Sequence, residues 1–240
     1  MVAGPNREYV TRTQAQAVEL DAGLRAYMLK IYNYMAAGLA LTGLTAYGVF
    51  ASYDTHPQIL ETVMRLQWVL MLGTIGLVFW LSFGIRRMSA GTAQMSFWVY
   101  AVLNGLWLAP LFLAYTQTSI ARTFFITAGT FAAMSLYGYT TKRDLTGIGN
   151  FLIMGLIGIV LASLVNIFLA SSAMSFAISI IGVLIFTGLT AYDTQKLKEM
   201  YLEGDDHETL GKKVVMGALT LYLDFINLFL MLLRFVGDRR

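Results

Sequence analysis

The sequence contains no cysteine, which excludes disulfides, thiolate nucleophiles and thiolate-bound metals. Histidine is almost absent too: His56 and His207 are the only two, and both fall between apolar runs. A His-rich zinc site or a membrane-buried Ser-His relay cannot be assembled from them, so no enzyme is expected. Charge is the third scarcity. Asp, Glu, Lys and Arg make up 13% of 240 residues, against about 25% in an ordinary soluble domain, which is too little polar surface to cover a compact water-soluble body. No Walker lysine or Rossmann strand context accompanies the glycines, and no basic stripe points to nucleic acid. The N-terminal charges are not followed by the apolar stretch and small-residue cleavage site of a signal peptide, so insertion is expected to rely on the first membrane helix.

What the sequence does have is apolar length. Hydrophobic residues are 57% of the chain, and they gather in runs near the roughly 20 residues that cross about 30 Å of hydrocarbon. Six runs are clear, at 32–51, 66–84, 97–114, 120–139, 151–171 and 176–192. A seventh, 214–236, contains Asp224. It is long enough for a full crossing, which is favoured over a re-entrant loop. The expected fold is all-α: a polar cytoplasmic tail at 1–25, then one integral membrane domain of seven helices over 26–240.

Basic residues alternate by side. Arg7, Arg12, Arg25 and Lys30 precede the first run, Arg86 and Arg87 follow the second, and Lys142 and Arg143 follow the fourth. Lys196, Lys198, Lys212 and Lys213 follow the sixth. The other loops hold Asp54, His56 and Glu61, with Arg65 and Arg122 close by. That is a positive-inside pattern with the N-terminus in the cytoplasm, in a multi-pass protein of the inner (plasma) membrane. The tail with Arg234, Asp238, Arg239 and Arg240 departs slightly from the rule if the last run crosses fully.

Small residues within the runs suit close helix packing, because lipid provides little hydrophobic force between helices. The pairs Gly73/Gly76 and Gly155/Gly158 are expected at such contacts. Asn104, Pro110 and Asn166 are expected to give interhelical hydrogen bonds or kinks facing the bundle interior.

Two carboxylates stand apart. Asp193 sits at the end of the sixth run, where the helix is expected to continue so that Lys196 and Lys198 reach the headgroups while Asp193 stays a turn deeper. A plain interfacial carboxylate is the alternative. Asp224 lies some ten residues into the last run, roughly 15 Å along a helix. A carboxylate at that depth is expensive unless neutralised, paired or facing water, which marks a functional site. If the two meet, one proton is shared and the pair titrates as a unit; losing it adds repulsion that could open a path or attract a divalent cation. Arg86, on the same membrane side as Asp193, is a candidate cationic partner, and Arg87 a plainer interfacial anchor.

The stretches SLYGYTTKRDL, GVLIFTGLTAYDTQKLK and ALTLYLDFINLFLMLLRFVG resemble the Bax inhibitor-1 family in its bacterial branch, and the resemblance runs from Arg25 to Gly237. It implies a seven-helix bundle with the C-terminal helix enclosed by the other six, acting as a pH-sensitive calcium leak. It also implies that Asp193 and Asp224 are the paired aspartates, in possible contact with calcium, and that Arg86 is a gating latch. No cofactor is expected beyond calcium as the bound or transported ion. The partners implied are the bilayer, calcium ions and protons; other membrane proteins, such as a protease, come with the alternative of an interaction protein without transport. The acid-rich link EMYLEGDDHETLGKK is longer than the family pattern, and is read as a solvated loop, with a gate or cation-attracting patch as the alternatives.

Overall fold

A helix can cross hydrocarbon because it satisfies every backbone polar group internally, and helices account for the whole architecture. The computed structural model describes residues 5–239, with side chains described from residue 21 onward. Arg7, Arg12 and Arg240 therefore lie outside the described side chains. In order the helices are α1 Pro5–Ala51, α2 Pro57–Arg65, α3 Gln67–Gly84, α4 Ala90–Leu108, α5 Leu111–Ala114, α6 Gln117–Thr140, α7 Thr146–Leu169, α8 Ser172–Glu199 and α9 His207–Val236. Seven segments are long and apolar enough to span: Asp21–Ala51, α3, Ala90–Ala114, α6, α7, α8 and α9. The residue-25 boundary falls inside α1, which runs unbroken into the first span.

The turns are set by local chemistry. Ser89, Thr116, Ser171 and Asp206 each accept a backbone N–H three residues on, capping α4, α6, α8 and α9; a side-chain oxygen there satisfies a donor the helix itself leaves free. Pro110 stands between α4 and α5 and breaks that span into two helices. Asn166 does not face the bundle interior. Its amide donates to Ser175 Oγ at 2.7 Å and its carbonyl accepts from Ser171 N at 3.0 Å, tying the tight α7–α8 turn in which Ala170 is left-handed at φ 47°. Asn104 does face inward, and is described below.

α9 is the centre of the bundle. It packs on α8, α1, α6 and α4, and 67% of its spanning window is buried, against 6% for α7. Its buried apolar residues fill two adjacent faces, Val214, Ala218, Leu221, Phe225 and Leu228 on one and Val215, Leu219, Tyr222, Ile226 and Phe229 on the next. The glycine pairs turn out differently. A Cβ at Gly73, Gly76 or Gly158 would meet open space, and only Gly155 of those four abuts a neighbour, Ile185. Spacing alone cannot tell a glycine on the lipid face from one at a seam. The tight seams are at Gly138, whose missing Cβ lets Ala191's backbone carbonyl of α8 approach, and at Gly105, where a Cβ would lie 2.6 Å from Thr42 O.

The ends of the bundle are distinct in charge. At one end, Tyr201 of the α8–α9 turn packs at a tilt against Tyr27 of α1, and Ala90 N at the start of α4 donates to Glu208 at 2.7 Å. At that same end Gln195 bonds Arg143 O and Leu145 N, each at 2.8 Å. Arg86, Arg87, Lys142, Arg143, Lys196, Lys198, Lys212 and Lys213 therefore share one end. The chain finishes at the opposite end: Asp238 N donates to Ser119 Oγ at 2.9 Å, and its carboxylate pairs with Arg122 at 2.8 Å. α9 thus crosses completely. At this second end α2, inside a stretch expected as loop, is an amphipathic helix with Leu60 and Val63 buried and Glu61 and Arg65 exposed.

Candidate functional site

Asp193 projects from α8 six residues before that helix ends, and Asp224 from the middle of α9. Their carboxyl groups lie within hydrogen-bonding reach of each other. Asp224 is only 5% exposed, and its Oδ2 is buried with no hydrogen-bond partner. Both aspartates open onto one cavity of about 510 Å³ between α7, α8 and α9. The α7 wall is mostly aliphatic, with Ile153, Leu156, Ile159 and Ile167, and Ser163 is its one polar side chain. From α9, Thr220 and Asn227 face the same space. Two carboxyls in contact repel unless a proton or a cation lies between them, so the arrangement can hold either.

Two chains of hydrogen bonds fix the helices that carry the pair. On one side Thr194, next to Asp193, donates to Thr190 O at 2.7 Å. Its oxygen must therefore accept from Ser135 of α6 at 2.9 Å, and Ser135 in turn from Tyr32 of α1 at 2.6 Å. On the other side Thr42 of α1 donates to Ala101 O of α4 at 2.8 Å, so Tyr222 donates to Thr42 at 2.6 Å while accepting from Asn104 at 2.8 Å. Tyr222 is two residues from Asp224 and fully buried. α1 is thereby pinned to α8 by way of α6, and to both α4 and α9. Asn104 is the interhelical hydrogen bond that its position promises.

Arg86 is not part of this cluster. It is exposed at the α3–α4 turn, beside Phe79, Trp80, Phe83 and Arg87, and no ion pair joins it to either aspartate among the described residues. α3 packs chiefly on α4, which keeps its arginine end away from α9. The cation that acts on Asp193 is Lys196, one turn further along α8, and it also sits over the Tyr192 ring. Lys198 reaches Tyr139 O at 2.9 Å. Shared sidedness is not proximity: Arg86 and Lys196 lie at the same end, but only Lys196 is on a helix that carries an aspartate. Thr220 and Asn227 went unremarked in the sequence, although 220, 224 and 227 fall on one helical face at i, i+4 and i+7.

Three acids of the acid-rich link are tied to local partners. Asp205 pairs with Lys213 at 2.6 Å, Asp206 caps α9, and Glu208 holds Ala90 N and Lys212. The hydrogen bonds from Thr209, side chain first and then backbone, hold the Asp206 carboxyl below its ordinary range, and those from Thr146 do the same for Asp144.

Comparison with known proteins adds lineage to this geometry. The chain is 52% identical over 225 residues to the Escherichia coli protein named inner membrane protein YbhL, covering 93% of this chain and 96% of that one. It is 51% identical over 228 residues to uncharacterized protein RP147 of Rickettsia prowazekii, covering 95% and 96% respectively. An uncharacterized protein of Borreliella burgdorferi is 46% identical over 215 residues, 89% of this chain and 92% of its own. The family model described as inhibitor of apoptosis-promoting Bax1 matches residues 24–240, and on that match, nearly the whole of the membrane-spanning region, the chain belongs to the Bax inhibitor-1 family.

Proposed function

We propose that this protein is a passive calcium leak, held shut while the Asp193–Asp224 pair keeps a proton and opened as that proton leaves. The observation that carries the proposal is the buried Asp224 carboxylate, with one oxygen unpartnered, touching Asp193 at the side of a cavity. Two unit charges about 4 Å apart at an effective dielectric of about 20 interact by about 4 kcal/mol. A single neutral hydrogen bond of the kind clamping α1 contributes about 1 kcal/mol. Ionising both aspartates therefore opposes the packing of α8 on α9 by more than any one of the hydrogen bonds tying either helix to its neighbours contributes. A divalent cation relieves the same repulsion, which couples opening to the ion that passes.

Lys196 is the charge facing the pair from α8, and the α7 and α9 walls of the cavity bring no further ionisable side chain among the described residues. The protein is placed in the inner membrane, the location in the name of the E. coli relative, with its basic end and N-terminus in the cytoplasm. Calcium flux into proteoliposomes, read from about pH 6 to 8 on either side of neutrality, tests the proposal. A flux that rises across this range and loses its pH dependence in Asp193→Asn/Asp224→Asn supports it. No flux at any pH removes the channel reading and leaves an interaction protein in its place.

A further inference from the structure

The cavity wall on α9 has a chemical bias beyond the aspartate itself. Thr220, Asp224 and Asn227 stand at i, i+4 and i+7, so one face of α9 presents all three to the cavity. One donor of each neutral side chain on that face is committed to the helix backbone. The Asn227 amide Nδ2 donates to Leu223 O at 2.8 Å, and the Thr220 hydroxyl donates to Met216 O at 3.0 Å. What remains is the Asn227 Oδ1, its second N–H and the lone pairs of Thr220 Oγ1, beside an Asp224 Oδ2 that has no partner. With the two carboxyl groups and two neutral oxygens set against one free amide N–H, the wall suits a cation better than an anion.

We infer that Asn227 supplies a neutral oxygen ligand, and Thr220 a second contact through a bridging water, to a divalent cation held by Asp193 and Asp224, an inference that rests on the calcium reading of that pair. Calcium takes six to eight oxygens, carboxylate, amide and water alike, in flexible geometry. Two carboxylates and an amide carbonyl provide part of such a set, and the roughly 510 Å³ cavity leaves room for waters, one of them on Thr220, to complete it. The donor set is all oxygen, with neither histidine nor cysteine in the lining, so it favours a hard cation over zinc or copper. Magnesium requires a near-ideal octahedron and gives up water reluctantly; a site built along one helix face beside an aliphatic α7 wall suits the larger, more adaptable ion. Asn227 is thus the residue expected to discriminate calcium from magnesium.

The test uses the full chain in nanodiscs and radioactive calcium, with magnesium as competitor. Asn227→Leu keeps the side-chain shape without the oxygen, and is expected to weaken calcium binding by about tenfold or more and to narrow the preference for calcium over magnesium. Asn227→Asp keeps an oxygen there and is expected to retain binding. Thr220→Val should weaken it less than Asn227→Leu. Unchanged affinity and unchanged competition in Asn227→Leu, with binding lost in Asp193→Asn/Asp224→Asn, overturns the role of Asn227 and leaves the aspartate pair standing. Wild-type binding in the double aspartate variant overturns both. If Asn227→Leu no longer melts cooperatively, Asn227→Ser and Thr220→Val decide, and unchanged calcium affinity in both overturns the inference.

Discussion

At the scale of the residue, Asp224 is a carboxyl group only 5% exposed inside an apolar bundle, and its surroundings are arranged around that fact. Asp193 lies beside it, and the proposed sharing of one proton predicts that their substitutions are not additive. Asp193→Asn and Asp224→Asn are each expected to flatten the pH response of calcium flux. The double variant should differ little from either, and an additive pair of effects would show two independent groups. Tyr222, two residues away, is expected to act on stability and not on titration. Tyr222→Phe keeps the ring that sits edge-on to Phe97 and Tyr100 but removes the hydroxyl joining Asn104 to Thr42. A loss of about 1 kcal/mol is expected, read as a lower Tm in detergent with the pH profile of flux unmoved. Asp224 was visible in the sequence because a charge in an apolar run stands out. Tyr222, Thr220 and Asn227 were not, since tyrosine, threonine and asparagine in a span have many uses and only contacts separate them.

At the scale of the element, length and hydropathy were legible in the sequence and orientation about each helix axis was not. All seven spans follow from apolar runs of sufficient length, and the fully crossing α9 follows from its length. The glycine spacing at 73 and 76 misled because both residues lie on a face of α3 that a single sequence cannot distinguish from a packed one. α2 escaped notice because nine residues make too short a stretch for an apolar run, although its alternation of Leu60 and Val63 with Glu61 and Arg65 is the signature of an interfacial helix. The start of α9 supports a prediction of its own. Hydrogen bonds from Thr209 hold the exposed Asp206 carboxyl below its ordinary value, so its contribution is present above the unfolded-state value of about 3.9 and is lost as pH falls through the lower folded value. Asp206→Ala is accordingly expected to lower Tm at neutral pH and to match the wild type at the acid end of the curve. Amide exchange at the first turn of α9 reports the same change locally, and an equal difference at both pH extremes would show that the cap does not act through its charge.

At the scale of the whole molecule, the distribution of charge makes the bundle a polar object in the directional sense. One end gathers the arginines and lysines of three turns, and the other holds α2, the α5–α6 turn and the chain end at Asp238. Sequence counting separated these groups correctly because loops are short and their basic residues alternate, but it left the last segment open between crossing and returning. The geometry closes that question through Asp238, which contacts Ser119 and Arg122. Membrane sidedness is then a single choice for the entire bundle, since no span can be inverted alone without breaking these contacts. On the positive-inside bias, the basic end is expected to face the cytoplasm. Because the native chain has no cysteine, single cysteines report sidedness without background. Cysteines at Ser89, in the α3–α4 turn, and at Glu203, in the α8–α9 turn, are expected to react with a membrane-impermeant maleimide only after the inner membrane is opened. Cysteines at Thr55 and at Arg239, both exposed, are expected to react in intact spheroplasts. Arg239 is the decisive position, because a re-entrant last segment returns it to the side of Glu203. Labelling of Arg239→Cys together with Glu203→Cys, and apart from Thr55→Cys, would contradict the crossing of α9, and with it the burial of Asp224 from which the channel proposal starts.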